Sequence, residues 1–233
     1  MKNMKGNRSI WFRGLKSFMK LFIKKSEFKF IGDKVKDGSL IISNHVGTSA
    51  PLALELYSDM SFRFWGAYQM NSNIFMVYKY LSKTYYHEKK HWNLFLARLF
   101  CLLAAPLCWI FYRGLNLIST YPDVRLRTTI KESVQTIKNN QSVVIFPEDS
   151  SKGYFDELKK CYAGFLVLAK NCYKEGIDLP IYCAYCNKKN KVFLIDNPIM
   201  YSDLIKSGKS QQEIANDMMK RINELGEMTR NNK

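Results

Sequence analysis

Ser142-Val143-Val144-Ile145-Phe146-Pro147-Glu148-Asp149-Ser150-Ser151-Lys152-Gly153 is an apolar run that breaks, at a proline, into carboxylates, hydroxyls, a lysine and a glycine. Residues 142–146 are short, apolar and partly β-branched, which suits a buried strand, and Pro147 cannot continue its ladder. Just upstream, Leu126, Ile130, Val134 and Ile137 recur at helical spacing and stop at Asn139-Asn140. Downstream, residues 158–173 read as another helix, with Leu158, Cys161, Phe165, Leu168 and Cys172 on one side. Strands at 180–186 and 191–195 follow, joined by the polar turn Asn187-Lys188-Lys189-Asn190. Helices alternating with short strands predict a single α/β domain, a mixed, largely parallel sheet flanked by helices.

Moving towards the N-terminus, residues 39–43 (SLIIS) form a second apolar strand, which runs into Asn44-His45-Val46-Gly47-Thr48-Ser49. Both polar clusters therefore follow a buried strand. Open α/β sheets carry their sites at the carboxyl ends of strands, and loops of this composition bind polar substrates more often than they stabilise folds. One of the chain's three histidines, His45, lies in the first cluster, a good place for a general base. Helical pattern resumes at 51–57, while the aromatic-rich stretch 61–92 takes no clear assignment. Residues 94–112 read as an apolar helix kinked at Pro106. Ser210-Gln211-Gln212-Glu213 is a capping box opening a last helix, with Ile214, Met218, Ile222 and Leu225 inward. No repeat, low-complexity linker or second domain is visible.

The formal net charge of +16 calls for a polyanionic partner, and its distribution narrows the choice. Residues 1–36 hold eleven basic groups against Glu27 and Asp33 alone. Two units are expected: a basic amphipathic segment, 1–36, and an α/β domain, 37–233. Within residues 11–23, Trp11, Leu15, Phe18 and Phe22 fall on one side of a predicted helix, with Arg13, Lys16, Lys20 and Lys24 opposite. That pattern describes a helix lying at an anionic membrane surface, the rival being a helix docked on its own domain. Nucleic acid is not expected: no recognised binding motif occurs, and the basic residues share their helix with Trp and Phe. The six cysteines are expected as reduced thiols; Cys183 and Cys186 form a lone CxxC, better read as buried strand residues than as a metal site. No signal peptide is evident. The apolar run 99–112 is too short for the ~20 residues that span a bilayer, which leaves buried, re-entrant and interfacial readings open.

An apolar strand into Asn44-His45, and 103 positions after His45 a strand into Phe146-Pro147-Glu148, resembles the glycerolipid (lysophosphatidic acid) acyltransferase family over residues 40–199. Leu179-Pro180-Ile181 is similar to that family's fourth block. The resemblance implies a membrane-associated O-acyltransferase at the cytoplasmic face, peripheral or monotopic. It moves an acyl chain from a thioester donor, acyl-CoA or acyl-carrier protein, to a hydroxyl of a lipid-like acceptor. It implies no cofactor and no metal. His45 would be the base that takes the acceptor's proton. Asn44, Thr48, Ser49, Phe146, Pro147, Glu148, Ser150 and Lys152 would surround the substrate.

Three positions depart from the family's pattern. Ala50 stands where the family has the Asp that orients the His, Thr120 where it has a phosphate-binding Arg, and Ser151 where Phe-Pro-Glu-Gly-Thr-Arg ends in Arg. Loss of the aspartate in the serine-protease triad costs ~10⁴ in rate, and loss of both arginines removes the bidentate clamps on a phosphate. Either the acceptor is not a phosphate monoester, or the chain binds lipid or acyl chains without catalysis. Lys152, Arg113, Arg125 or Arg127 are candidate replacements for the charge, and Glu55, Asp59 or Asp149 for the carboxylate.

Overall fold

The computed structural model describes residues 8–150 and 153–231. Expectations that rest on residues 1–7, Ser151 or Lys152 lie outside the described residues. The strands are β1 (Glu27–Phe30), β2 (Leu40–Ser43), β3 (Phe62–Ala67), β4 (Ile118–Thr120), β5 (Ser142–Ile145), β6 (Pro180–Asn187) and β7 (Val192–Met200). They form one sheet in the order β1-β7-β6-β2-β5-β3-β4. Only β6 and β7, the pair joined by the Asn187–Asn190 turn, run antiparallel. The helices are α1 (Ile10–Met19), α2 (Ser49–Tyr57), α3 (Ile74–Lys79), α4 (Leu94–Leu115), α5 (Leu126–Lys138), α6 (Gly164–Lys174), α7 (Tyr201–Lys206) and α8 (Gln211–Asn231).

Both faces of the sheet are buried, as parallel strands require. Leu40, Ile42, Val143, Ile145, Ile181 and Cys183 pack with Ile130 and Val134 of α5, Phe165 of α6 and Ile222 of α8. Ile41, Val144, Tyr182 and Ala184 point the other way, onto Phe12 of α1 and Ala50 and Leu54 of α2. The CxxC cysteines follow this division, Cys183 on one side and Cys186 on the other, both buried. Ser210 and Glu213 cap α8 reciprocally, Ser210 N donating to Glu213 Oε2 at 2.8 Å and Glu213 N to Ser210 Oγ at 3.3 Å.

Three local expectations are corrected. The N-terminal helix ends at Met19, and residues 20–23 form a turn, where the Tyr57 hydroxyl donates to the Ile23 carbonyl and turns the chain towards β1. Residues 27–30 then join the sheet edge beside β7. Residues 158–163 are not helical. Cys161 instead bridges Glu148 in antiparallel fashion, Asp149 N donates to Lys160 O at 3.0 Å, and Tyr162 N donates to Pro147 O at 2.8 Å. The helical side-chain pattern there records burial of Leu158 and Cys161 on an extended segment. Finally, the apolar helix runs through Pro106 to Leu115, three residues beyond expectation.

α1 docks on the domain through Phe12, which is fully buried against Gly114 of α4. A Cβ at position 114 would lie 1.9 Å from the Phe12 ring, so this contact requires glycine. Beside it, buried Glu55 of α2 accepts from Arg8 at 2.8 Å and Lys16 at 2.8 Å. Lys16 therefore belongs to the fold, while Arg13 and Lys20 are exposed. Between β3 and β4 the chain leaves the sheet to build a satellite of α3, a π-helical stretch Tyr80–Lys89 and α4, with its own small core of Val77, Leu81, Cys101 and Ala105.

Candidate functional site

The sheet register makes the site. Ile42 of β2 pairs with Ile145 of β5, so His45 and Glu148 each lie three residues beyond a paired position. Both loops leave neighbouring parallel strands at the same edge of the sheet, where α/β proteins hold ligands. The backbone N–H of His45 donates to the Glu148 carboxylate, joining the two loops directly. The chain beyond His45 is strained: Val46, a β-branched residue, adopts φ 47°, and Gly47 follows at φ 66°. Non-glycine residues in that region cost free energy and concentrate at functional sites.

His45 sits between two aromatic rings. Phe146 meets its edge at 4.6 Å between centroids, and Tyr154 stacks on it at 4.9 Å. Its Nδ1 is shielded from solvent and makes no hydrogen bond of normal geometry with any described residue. Burial, reinforced by the Lys89 ammonium, holds the imidazole pKa down to about 4, against a weaker upward pull from the backbone around Gly47. Glu148 moves the opposite way. Burial raises its pKa to about 7, although the His45 N–H and Lys89 both favour its ionised form. At neutral pH the imidazole is uncharged, while the carboxyl holds its proton well above the usual carboxylate range.

Lys89, from the end of the π-helical stretch, donates to Ser150 Oγ at 2.6 Å. Lys89 and Lys90 both lie over the Tyr154 ring, at 5.7 and 5.6 Å from its centroid. Burial lowers the Lys89 pKa, while Glu148, Asp149 and Glu88 oppose that shift. Together these residues border a groove of about 330 Å³. His45, Lys89, Ser150, Tyr154 and Thr120 supply its polar positions, and Phe64, Trp65, Met70, Leu115, Leu117 and Ile145 an apolar wall. An apolar cavity with a few convergent polar groups is the usual form of a small-molecule site.

Of the expected site residues, His45, Phe146, Pro147 and Ser150 border the groove. Glu148 borders an adjoining cleft with Asp149 and Gly153. Asn44 is directed elsewhere: it is fully buried, donates to Cys186 O at 3.1 Å and accepts from Cys186 N at 2.7 Å. Its amide ties the end of β2 to β6 and so positions His45 without bordering the groove. Thr48 and Ser49 stand at the start of α2, Thr48 exposed and Ser49 half-buried. Lys152 lies outside the described residues.

Three of the proposed substitutes for lost charges are engaged elsewhere. Glu55 is held by Arg8 and Lys16, Arg113 stacks 4.3 Å from the Trp109 ring, and Arg125 pairs with Asp123 at 2.6 Å. Ala50 is buried in the apolar cluster beneath α2, and Pro51 rather than Ala50 borders the groove. Thr120 does border it, its hydroxyl donating to Gly66 O at 3.0 Å. Sequence reasoning missed Lys89 and Tyr154. Tyr154 follows the quoted loop by one residue and was within reach. Lys89 is 44 positions from His45 in a stretch without readable period, and its only signal was the Lys89-Lys90 pair. No protein-family model matches this chain, and no curated protein matches it.

Proposed function

We propose that this chain is a membrane-associated O-acyltransferase that transfers an acyl group from a thioester, acyl-CoA or acyl-carrier protein, to a hydroxyl of a lipid-like acceptor at the cytoplasmic face. The observation that carries this reading is the meeting of His45 with the Phe146-Pro147-Glu148 loop at one groove with an apolar wall. His45 takes the proton of the acceptor hydroxyl as its oxygen attacks the thioester carbonyl. The carbon–sulfur bond then breaks, the thiolate leaves, and the proton held by His45 passes to it, which restores the base. Lys89, fixed by Ser150, provides positive charge where the carbonyl oxygen becomes negative. The apolar wall takes the acyl chain. His45 is already neutral above about pH 4, so the base is available at neutral pH, although so low a pKa makes it a weak one.

One observation favours a second reading, a lipid- or acyl-binding protein without catalysis: no described carboxylate bonds the ring nitrogen Nδ1 of His45. Incubation with radiolabelled acyl-CoA or acyl-carrier protein and a panel of lipid acceptors separates the two. Transfer by wild type and its loss in His45→Ala, with folding intact, supports the enzyme. Equal transfer by both proteins, or acyl-chain binding without transfer, makes the chain a binder.

A further inference from the structure

α4 carries an apolar face with no described residue packed against it. Phe95, Leu96, Leu99, Leu102, Leu103 and Leu107 form its stripe; Leu103 is 80% exposed and Leu107 70%. The opposite stripe, Ala97, Cys101 and Ala105, is buried against Val77 of α3 and Leu81 of the π-helical stretch. α4 holds no Asp or Glu, and its two charges are Arg98 and Arg113. Just before it, Trp92 stacks edge-on against Phe100 at 5.5 Å and exposed Lys90 adds positive charge. Aromatic rings and cations flanking an apolar stripe match the boundary between headgroups and acyl chains of an anionic leaflet.

At 22 residues α4 is long and apolar enough to cross a bilayer. Its partners argue against crossing. The buried stripe is tied to a helical layer whose outer side exposes Lys79, Lys83, His87 and Glu88, and a crossing α4 would carry these into hydrocarbon. We infer that α4 lies in the plane of one anionic leaflet, apolar stripe down, as the principal anchor of this chain. The inference rests on the membrane half of the function proposed above and extends it to substrate entry. Leu115, the last residue of α4, and Tyr80 and Lys89 of the π-helical stretch border the groove beside His45. The anchor and the groove wall are thus one piece of chain, and a lipid acceptor enters laterally from the leaflet.

The test is flotation of the full chain with vesicles of phosphatidylcholine and phosphatidylglycerol, comparing wild type with Leu99→Gln/Leu103→Gln/Leu107→Gln. All three sites are exposed, so the variant keeps its fold, which circular dichroism checks. Partitioning should weaken by about a hundredfold or more, since each leucine moved into hydrocarbon contributes on the order of tenfold. A membrane-impermeant amine reagent should still label Lys79 and Lys83 on vesicle-bound wild type; protection of both means that α4 crosses, which overturns the in-plane placement. Wild type and variant floating equally overturns the assignment of α4 and leaves membrane association standing. A wild type that floats with no vesicle removes both. A lipid-free dimer that the variant breaks, with flotation unchanged, assigns the stripe to a second copy of the chain.

Discussion

Position 50 carries the sharpest consequence at the scale of single residues. The family resemblance suggests restoring a carboxylate there to orient His45, yet Ala50 is fully buried among Ile41, Leu54 and Val144. Ala50→Asp should therefore destabilise the fold by about 3–5 kcal/mol, the usual cost of an uncompensated buried charge, and should not raise activity. Urea unfolding measures the first effect, and a faster, stably folded variant would refute the argument. His45 and Glu148 make a second prediction, on pH. The folded state keeps His45 neutral down to about 4, against an ordinary value near 6.5, so its contribution to stability is lost as pH falls through that window. It keeps Glu148 protonated up to about 7 against an ordinary 4.5, so that contribution is lost as pH rises from 4.5 to 7. Between about 4.5 and 6.5 the two slopes oppose each other and wild type should show little net dependence. His45→Ala should become less stable with rising pH in this window, and Glu148→Gln more stable. Denaturant midpoints at several pH values read both, and parallel profiles in the two variants would show the sites to be solvated.

At the scale of elements, α1 depends on one contact with no slack. Gly114→Ala forces a Cβ into the Phe12 ring and should cost about 1–3 kcal/mol by overpacking. Phe12→Ala alone should cost ~3–5 kcal/mol as a core truncation. Made together, the two changes should cost clearly less than their sum, because the smaller residue at 12 admits the methyl at 114; a double-mutant cycle in urea measures this coupling. Additive costs would mean that the ring simply moves aside. The same elements show what was legible in the sequence. β2 and β5 announce themselves because central parallel strands are apolar on both faces and end in abrupt polar loops, and their register does the rest. α8 was readable from its capping box. Residues 80–89, within the unassigned 61–92, were not, because π winding follows an i to i+5 pattern that a 3.6-residue template misses. That gap hid Lys89, and with it the only cation that the described groove contains. Residues 158–163 misled for a different reason: burial of Leu158 and Cys161 imitates a helical stripe on a chain that is extended.

For the whole molecule, charge and apolar surface are arranged so that two forces act on the same partner with different salt sensitivity. The net charge is +16, and α1 exposes Arg13, with exposed Lys20, Lys24 and Lys25 just beyond its end, beside exposed Trp11 and Phe18. Attraction between exposed charges and anionic headgroups is screened over ~10 Å at 0.1 M salt and ~3 Å at 1 M. The α4 stripe carries no charge and gains from leaving water, an effect that salt does not weaken. Binding to phosphatidylglycerol vesicles should therefore fall with added salt to a floor, and that floor should equal the binding to neutral phosphatidylcholine vesicles. Arg13→Gln/Lys20→Gln/Lys24→Gln should flatten the salt dependence and leave the floor unchanged. Lys16 is left out of the set because it pairs with Glu55. Leu99→Gln/Leu103→Gln/Leu107→Gln should lower the floor and leave the salt dependence in place. Co-sedimentation across a salt series, for wild type and the two variants, measures both quantities. Binding that salt abolishes entirely, with no floor on neutral vesicles, would mean that charge alone holds the protein to membranes and that the α4 stripe serves another contact.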